Sequence, residues 1–466
     1  MAERMLKKEH NTDFHHALTV HSEKCTGCTH CITVCPTRAI RVSDGKATIM
    51  ANKCVDCGEC YKACPVSAIG VEQDDLELIF KYKTRVILIP GILIGQFSHK
   101  IPVASIYKAL GEIGFTHVYH VENTVDMVLD AYAEYAASTD IRPLISSFCP
   151  AIVRLIQVRF PSLVNNIVRV NPPLDMTAAY YREKMKAEGF PENETGIFYA
   201  TPCAAKIATV KSAAGKTSQT VTGVINMDFL YNKIQKIIQR HETESATMPV
   251  TDDLLTSRGM LWSLTRGEAD HSKKRALAID GIRNVTEMLE KVENDTLGSA
   301  DFLELRACDE GCAGGILMTG NRFLTVERLR KMASEKILAG DERKLFDDGF
   351  RRLKEHSFLQ NIRPGNIEKL DEDLSEAMKK MERKRRMMCF LPGFDCAACG
   401  APDCETLSED IVQGTANISD CIFMQQLMMK NRQISFEKAF SITGKIWGAG
   451  RLEKNCNKPG AENENN

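Results

Sequence analysis

Two runs near the start of the chain share one spacing: Cys25-x2-Cys28-x2-Cys31-x3-Cys35-Pro36, then Cys54-x2-Cys57-x2-Cys60-x3-Cys64-Pro65. Thiolates hold iron–sulfur clusters, and three cysteines crowded on one tight loop reach three corners of a cubane. A fourth, followed by proline, ligates the other cluster in a two-cluster arrangement. The spacing therefore assigns Cys25, Cys28, Cys31 and Cys64 to one [4Fe–4S] cluster and Cys54, Cys57, Cys60 and Cys35 to a second. Zinc, which takes four ligands as two separated pairs, fits this pattern poorly. Such a module moves electrons and says nothing about a substrate. A further set, Cys396-x2-Cys399-x4-Cys404-x16-Cys421, again places three cysteines on a Gly/Pro-rich loop with one distant fourth. It suits another [4Fe–4S] cluster, with zinc as the alternative. Cys389 and Cys456 are left over as structural or free thiols.

Four more cysteines, Cys149, Cys203, Cys308 and Cys312, are spread far apart, each beside proline, glycine or alanine. A single buried cysteine is more often a small core hydrophobe than a ligand; their shared loop setting favours ligands. Cys308 and Cys312 are four apart, so on a helical turn they share a face. Two more from separate loops complete a tetrathiolate.

With 466 residues, 44% hydrophobic and 26% charged, the chain has a globular composition and room for two to four domains. A net charge of −1 gives no reason to expect nucleic acid or an anionic membrane as partner. No run of eighteen uncharged apolar residues appears, and the first residues carry no apolar leader, so the expectation is a cytoplasmic protein without membrane insertion. Eighteen cysteines in that compartment stay reduced and read as metal ligands. So much soft thiolate suggests an anaerobic host.

The elements that must position these residues are legible in outline. Ala39–Val42 and Ala47–Met50 flank Asp44-Gly45, a hairpin signal. Arg85–Pro90 reads as a buried strand. Pro143–Phe148 is extended, Cys149-Pro150 turns, and Ala151–Val158 is helical, with Pro150 suited to a first helical position. Gly196–Ala200 runs through Thr201-Pro202-Cys203 into a helix over Ala204–Val210, and Phe302–Leu305 leads to Cys308 and Cys312. Strands alternating with helices define an α/β domain, whose ligands gather at loops after strand ends. Leu374–Met388 reads as a basic helix, a solvated linker or else a docking surface, and Ser435–Leu452 as a short further element.

With these motifs in place, the chain resembles the [FeFe]-hydrogenase family over roughly residues 20–375. That family's first signature, Thr-Ser-Cys-Cys-Pro, corresponds to Ser146-Ser147-Phe148-Cys149-Pro150. Its second, Met-Pro-Cys-x2-Lys, corresponds to Thr201-Pro202-Cys203-Ala204-Ala205-Lys206. Its third, Glu-x-Met-Ala-Cys-x2-Gly-Cys-x2-Gly-Gly, corresponds to Glu304 through Gly315, with Cys308 and Cys312 in register. The resemblance implies an α/β hydrogenase-like H-cluster domain over residues 80–375. An α+β bacterial-ferredoxin domain (17–72) would precede it, and a small four-cysteine iron–sulfur domain (389–425) and a partly disordered tail (426–466) would follow. It further implies that Cys149, Cys203, Cys308 and Cys312 hold a [4Fe–4S] cluster, with Cys312 bridging to a diiron subcluster that carries CO, cyanide and azadithiolate. Lys206 would hydrogen-bond a cyanide; on spacing alone it is equally a solvated helix lysine.

The departures bear on function. Phe148 stands where the family's proton-relay cysteine stands, and phenylalanine relays no proton. Thr201 and Arg306 replace methionines that pack around the diiron centre, and Ile316-Leu317 replaces a Gly-Gln tail. Asp130 and Glu134, four apart on a helix, match the family's relay acids only loosely and otherwise read as a solvated face. Three functional readings follow. One is a low-turnover, hydrogen-sensing oxidoreductase for H2 and protons, of the family's sensory branch, signalling to a ferredoxin or another redox or signalling protein. Another is a catalytic hydrogenase subunit of an electron-transfer complex. The last is a non-enzymatic iron–sulfur protein lacking the diiron centre. The sequence leaves the oligomeric state open.

Overall fold

The computed structural model describes residues 14–212, 220–240, 247–252, 254–272, 274–338, 362–365, 370–371, 373–448 and 451. They fall into two compact units. One is drawn from Met1–Ala17, Val55–Gly58 and Val71–Gly365, the other from Leu18–Cys54, Glu59–Gly70 and Asn366–Asn466. Cys456 and the tail from Lys454 lie outside the described residues.

The smaller unit combines the first cysteine run, Cys54, Cys60 and Cys64 of the second, and the C-terminal set; Cys57 falls in the larger unit. Strands β1 (Leu18–Val20) and β4 (Ile69–Val71) pair, and β2 (Ile40–Ser43) pairs antiparallel with β3 (Lys46–Ile49). Asp44 (φ 52°) and Gly45 (φ 69°) make the expected two-residue turn, which needs positive φ at both positions. A side chain at Gly45 would also strike the Trp447 carbonyl, because the hairpin tip meets the helix Phe436–Trp447 there. Asp44 N–H donates to Lys445 (2.7 Å), Gly45 N–H to Ile446 (2.9 Å) and Val42 N–H to Gly400 (2.9 Å). Ion pairs fasten the same face: Arg38 to Asp403 and Glu405, Arg41 to Asp410, and Lys53 to Glu409.

The basic helix forms over Leu374–Met388, capped by Asp373, whose carboxylate accepts the Glu376 N–H. It is more than a solvated linker. Lys384 bridges Glu405 and Glu409, and Met387 and Met388 pack on the core of Leu391, Cys404, Leu407 and Cys421. Its six positive charges equal its apolar residues in number, but the two apolar residues at its end are the ones that dock.

The larger unit is α/β. β5 (Thr84–Ile89), β6 (His117–His120), β8 (Thr195–Thr201) and β9 (Gly223–Asn226) form one all-parallel sheet, ordered β6-β5-β8-β9. β7 (Leu144–Ile145), β10 (Ala276–Asp280) and β11 (Phe302–Arg306) form a second parallel sheet, ordered β10-β11-β7. Val86–Ile89 are fully buried, as a parallel strand covered on both faces requires. The amphipathic helix Val103–Ile113 packs Ile106 and Leu110 into the core that holds Ile87 and Ile89, and Ile282–Glu293 packs Val285 and Leu289 against the second sheet. The carboxyl ends of β7, β8 and β11 carry the loops with the four dispersed cysteines, where an open α/β sheet places its ligands. No described helix is long and apolar enough to cross a membrane.

Candidate iron–sulfur centres

In the smaller unit the sequence assignments meet concave surfaces. Cys25, Cys28, Cys31 and Cys64 line one, and Cys396, Cys399, Cys404 and Cys421 line another. Burial and neighbouring thiolates push the Cys31 thiol up to about 11 and Cys60 to about 12; burial and the Cys421 and Cys396 thiolates push Cys399 to about 11. Thiols crowded this way ionise together only when a metal neutralises them. Backbone amides already point at sulfur: Ala47 N–H donates to Cys25 (3.3 Å), Ala39 N–H to Cys35 (3.2 Å) and Ala68 N–H to Cys64 (3.2 Å). Such bonds tune a cluster's potential.

The larger unit assembles its cysteines differently. Cys149 caps the helix Pro150–Arg159, with Pro150 in the first turn, and Cys203 caps Ala204–Lys211. Each sulfur thus stands at the positive end of a helix, which favours thiolate. Burial opposes that, raising Cys149 and pushing Cys203 up to about 12, so their charge requires a cation nearby. Cys312 lies in a short turn over Gly311–Gly314 and feels both Cys149 and Cys203 electrostatically. Cys308 follows β11 in the same loop.

The expected continuous helical turn from Cys308 to Cys312 does not form. Glu310 (φ 59°) and Gly311 (φ 63°) take left-handed conformations that interrupt it. At Gly311 a β-carbon would also come within 2.6 Å of the Ser263 carbonyl, the group that accepts the Cys312 N–H at 2.8 Å.

Lys206 is buried on the helix Ala204–Lys211, which removes it from the solvated class. Its ammonium donates to Cys312 Sγ at 3.9 Å and sits 4.4 Å from the centre of the Phe148 ring. Burial alone would strip its proton; Cys312, Tyr199, Cys203 and Glu122 together hold its pKa above the ordinary lysine value. Phe148 is buried, edge-on to Trp262 (6.1 Å), and carries a second cation, with the Arg306 guanidinium 4.0 Å from the ring centre. Thr201 is buried and shapes the loop, its hydroxyl donating to the Cys203 carbonyl. Asp130 and Glu134 are exposed on the helix Val125–Ala137, as the solvated reading expects.

Three carboxylates complete the surroundings. Glu122 accepts from Gly91 N–H (3.0 Å) and Ser263 Oγ (2.8 Å), and burial pushes its carboxyl up to about 7. Glu268 is also pushed up to about 7 by burial, against the pull of Arg306. Glu304 accepts three backbone amides, from Arg266, Glu268 and Ala269. Glu304 was visible in the third signature. Glu122 and Glu268 belong to no motif, and only their contacts reveal them.

The donor set matches an acceptor-rich, anionic group. Lys206 has three N–H bonds and one sulfur acceptor, and among the described residues Arg306 Nη1 has no partner. The segment Val55–Gly58 belongs to the same compact unit: Val55 lies in the apolar cluster that includes Ala205, and Cys57, Cys149 and Cys203 pack against it.

The site and fold define an iron–sulfur protein built on parallel α/β sheets. Residues 92–258 and 233–316 match the family model of the iron-only hydrogenase large subunit, C-terminal domain. Residues 17–65 match a 4Fe-4S dicluster domain, and residues 391–423 a small Fe-S cluster domain. The chain is 21% identical over 306 residues to the NADP-reducing hydrogenase subunit HndD of Solidesulfovibrio fructosivorans, covering 61% of this chain and 46% of that one. It is 30% identical over 67 residues to an uncharacterized protein of Methanocaldococcus jannaschii, covering 14% of this chain and 30% of that one. The chain thus spans less than half the length of either curated relative. Among solved structures, the [FeFe]-hydrogenase HydA(ΔEFG) superposes at TM-score 0.46 with 15% identity, over 63% of this chain and 98% of that one. A variant of HydA1 from Chlamydomonas reinhardtii superposes at 0.43 with 14% identity, over the same shares. The chain is a hydrogenase-like iron–sulfur protein whose central region is similar to the iron-only hydrogenase large subunit.

Proposed function

We propose that the larger unit interconverts dihydrogen with protons and electrons at low turnover and acts as a hydrogen sensor, passing electrons to a ferredoxin or another redox or signalling protein. The observation that carries this reading is the buried Lys206 ammonium beside Cys312, three N–H donors with a single sulfur acceptor. In this reading Cys149, Cys203, Cys308 and Cys312 would hold a [4Fe–4S] cluster, and Cys312 would also help to hold a diiron group with CO, cyanide and azadithiolate. That group, when bound, supplies the redox chemistry of dihydrogen cleavage.

The chain's own residues do the rest. Lys206 keeps its proton and offers it to an anionic ligand, since an ammonium is a compact charge suited to a buried acceptor. Phe148 places hydrocarbon where a thiol would carry a proton, which slows proton exchange. Cys57, packed against the same apolar cluster as Cys149 and Cys203, would give electrons a first step away from the four-cysteine centre.

A second reading rests on the same phenyl ring. Phe148 already partners the Lys206 ammonium, which suits a protein that keeps the cubane and dispenses with the diiron group. Infrared spectroscopy of anaerobically matured protein, before and after hydrogen, separates the two. Sharp CO and cyanide bands that move with hydrogen support the first reading, and turnover then separates sensor from catalyst. Full iron loading with no such bands overturns it and leaves the second.

A further inference from the structure

We propose that Arg306 is the charge-setting residue of the four-cysteine centre, its guanidinium making that centre easier to reduce. The inference rests on the reading that Cys149, Cys203, Cys308 and Cys312 hold a [4Fe–4S] cluster. Arg306 ends β11, two residues before Cys308, and is 2% exposed. It interacts electrostatically with both Cys149 and Cys312. Its Nη2 contacts Glu268 Oε1 (2.7 Å) and the Trp262 carbonyl (3.0 Å), while Nε contacts Glu304 Oε1 (3.2 Å).

Three features suit the guanidinium to setting charge. Its carboxylate partners are shared: Glu304 also serves three backbone amides, and Glu268 Oε1 also accepts from Ser146 Oγ at 2.9 Å. Its remaining contact is a π face, since Phe148 holds Arg306 and Lys206 together through its ring quadrupole without neutralising either. Its site is dry, so its field on the cluster is not screened as a surface charge would be. Reduction adds one electron to a cluster already negative with its four thiolates. Buried positive charge beside it stabilises the reduced form, and net charge is a principal determinant of such potentials.

A purely structural Arg306, pinning the loop of Trp262 and Glu268 to β11, would leave the potential alone. The test is an EPR-monitored redox titration at pH 8.5 of the full chain reconstituted anaerobically with iron and sulfide, without the diiron group. Cys203→Ser identifies the centre's signal by difference. Arg306→Met is expected to shift the one-electron reduction equilibrium at least tenfold toward the oxidised cluster, 59 mV more negative. Glu268→Gln, nearly isosteric, removes a compensating negative charge and is expected to move the potential the opposite way. Arg306→Lys keeps the charge and stays near the parent. Should Arg306→Met not fold, the positive shift of Glu268→Gln and the parent-like potential of Arg306→Lys carry the test. Shifts of one sign in Arg306→Met and Glu268→Gln, or no shift in Glu268→Gln, overturn the proposal. A Cys203→Ser chain that loses no cluster signal overturns instead the ligand reading beneath it.

Discussion

In the smaller unit, cysteines stand on short loops and in the short helices that follow them, and the scaffold's charges meet at the surface; Arg38 pairs with Asp403 and Glu405 while 45% exposed. In the larger unit, cysteines from three distant strand ends meet among charges that see no water; Glu268 and Glu304 are 0% exposed and Arg306 2%. A surface pair contributes little and can be rearranged. A buried one holds only while every partner is present, and removing one leaves an uncompensated charge. The first arrangement suits clusters that only pass electrons. The second builds an environment whose charge and proton content can be set residue by residue.

The largest expected effect sharpens that contrast. Cys308→Ser should lose about four irons per chain and abolish any CO and cyanide bands together with hydrogen turnover. Cys399→Ser should lose a similar amount of iron and leave the bands in place. Iron analysis with infrared spectroscopy checks both, and bands persisting in Cys308→Ser would break the division of labour. Next in size is Phe148→Cys, which puts a thiol back beside Lys206 and Arg306. A positioned proton carrier contributes about 10²–10⁴-fold, so hydrogen–deuterium exchange should rise by about tenfold or more; an unchanged rate would mean protons leave by another route.

Smaller effects test the buried and surface charges directly. Burial raises the Glu122 carboxyl from 4.5 to about 7, so the folded chain keeps a proton that the unfolded chain gives up. That contribution is fully present below pH 4.5 and is lost as pH rises through about 7. Glu122→Gln should remove this decline, gaining relative to the parent by on the order of 3 kcal/mol above the transition. Urea melts at several pH values would show the gap opening, and a constant gap would place Glu122 in contact with water. Smallest is Arg41→Ala, which removes the two-bonded pair with Asp410 (2.6 and 3.1 Å). It should cost the smaller unit about 1 kcal/mol and leave cluster spectra unchanged.

What was legible in the sequence follows the same division. Asp44-Gly45 and Cys149-Pro150 announce their turns because the required backbone conformation is written in the residues themselves. Val86–Ile89 reads as a strand because both faces are apolar. The turn between Cys308 and Cys312 was misjudged from spacing alone, since Glu310 takes a left-handed conformation that glutamate seldom adopts. Glu304 and Arg306, two apart on one strand, share a face, so their pairing was in principle readable. The meeting of Ser146 with Glu268 joins residues more than a hundred positions apart across a parallel crossover, and nothing local encodes it.

The packing of Cys57 has one more consequence. Its sulfur shares a close-packed hydrocarbon environment with Cys149 and Cys203. If both sets of cysteines hold clusters, an electron passing between them would cross packed apolar side chains, with little solvent to reorganise. The rate of that step should therefore be indifferent to viscosity, and any diffusive delay in delivering an electron must arise farther along the route.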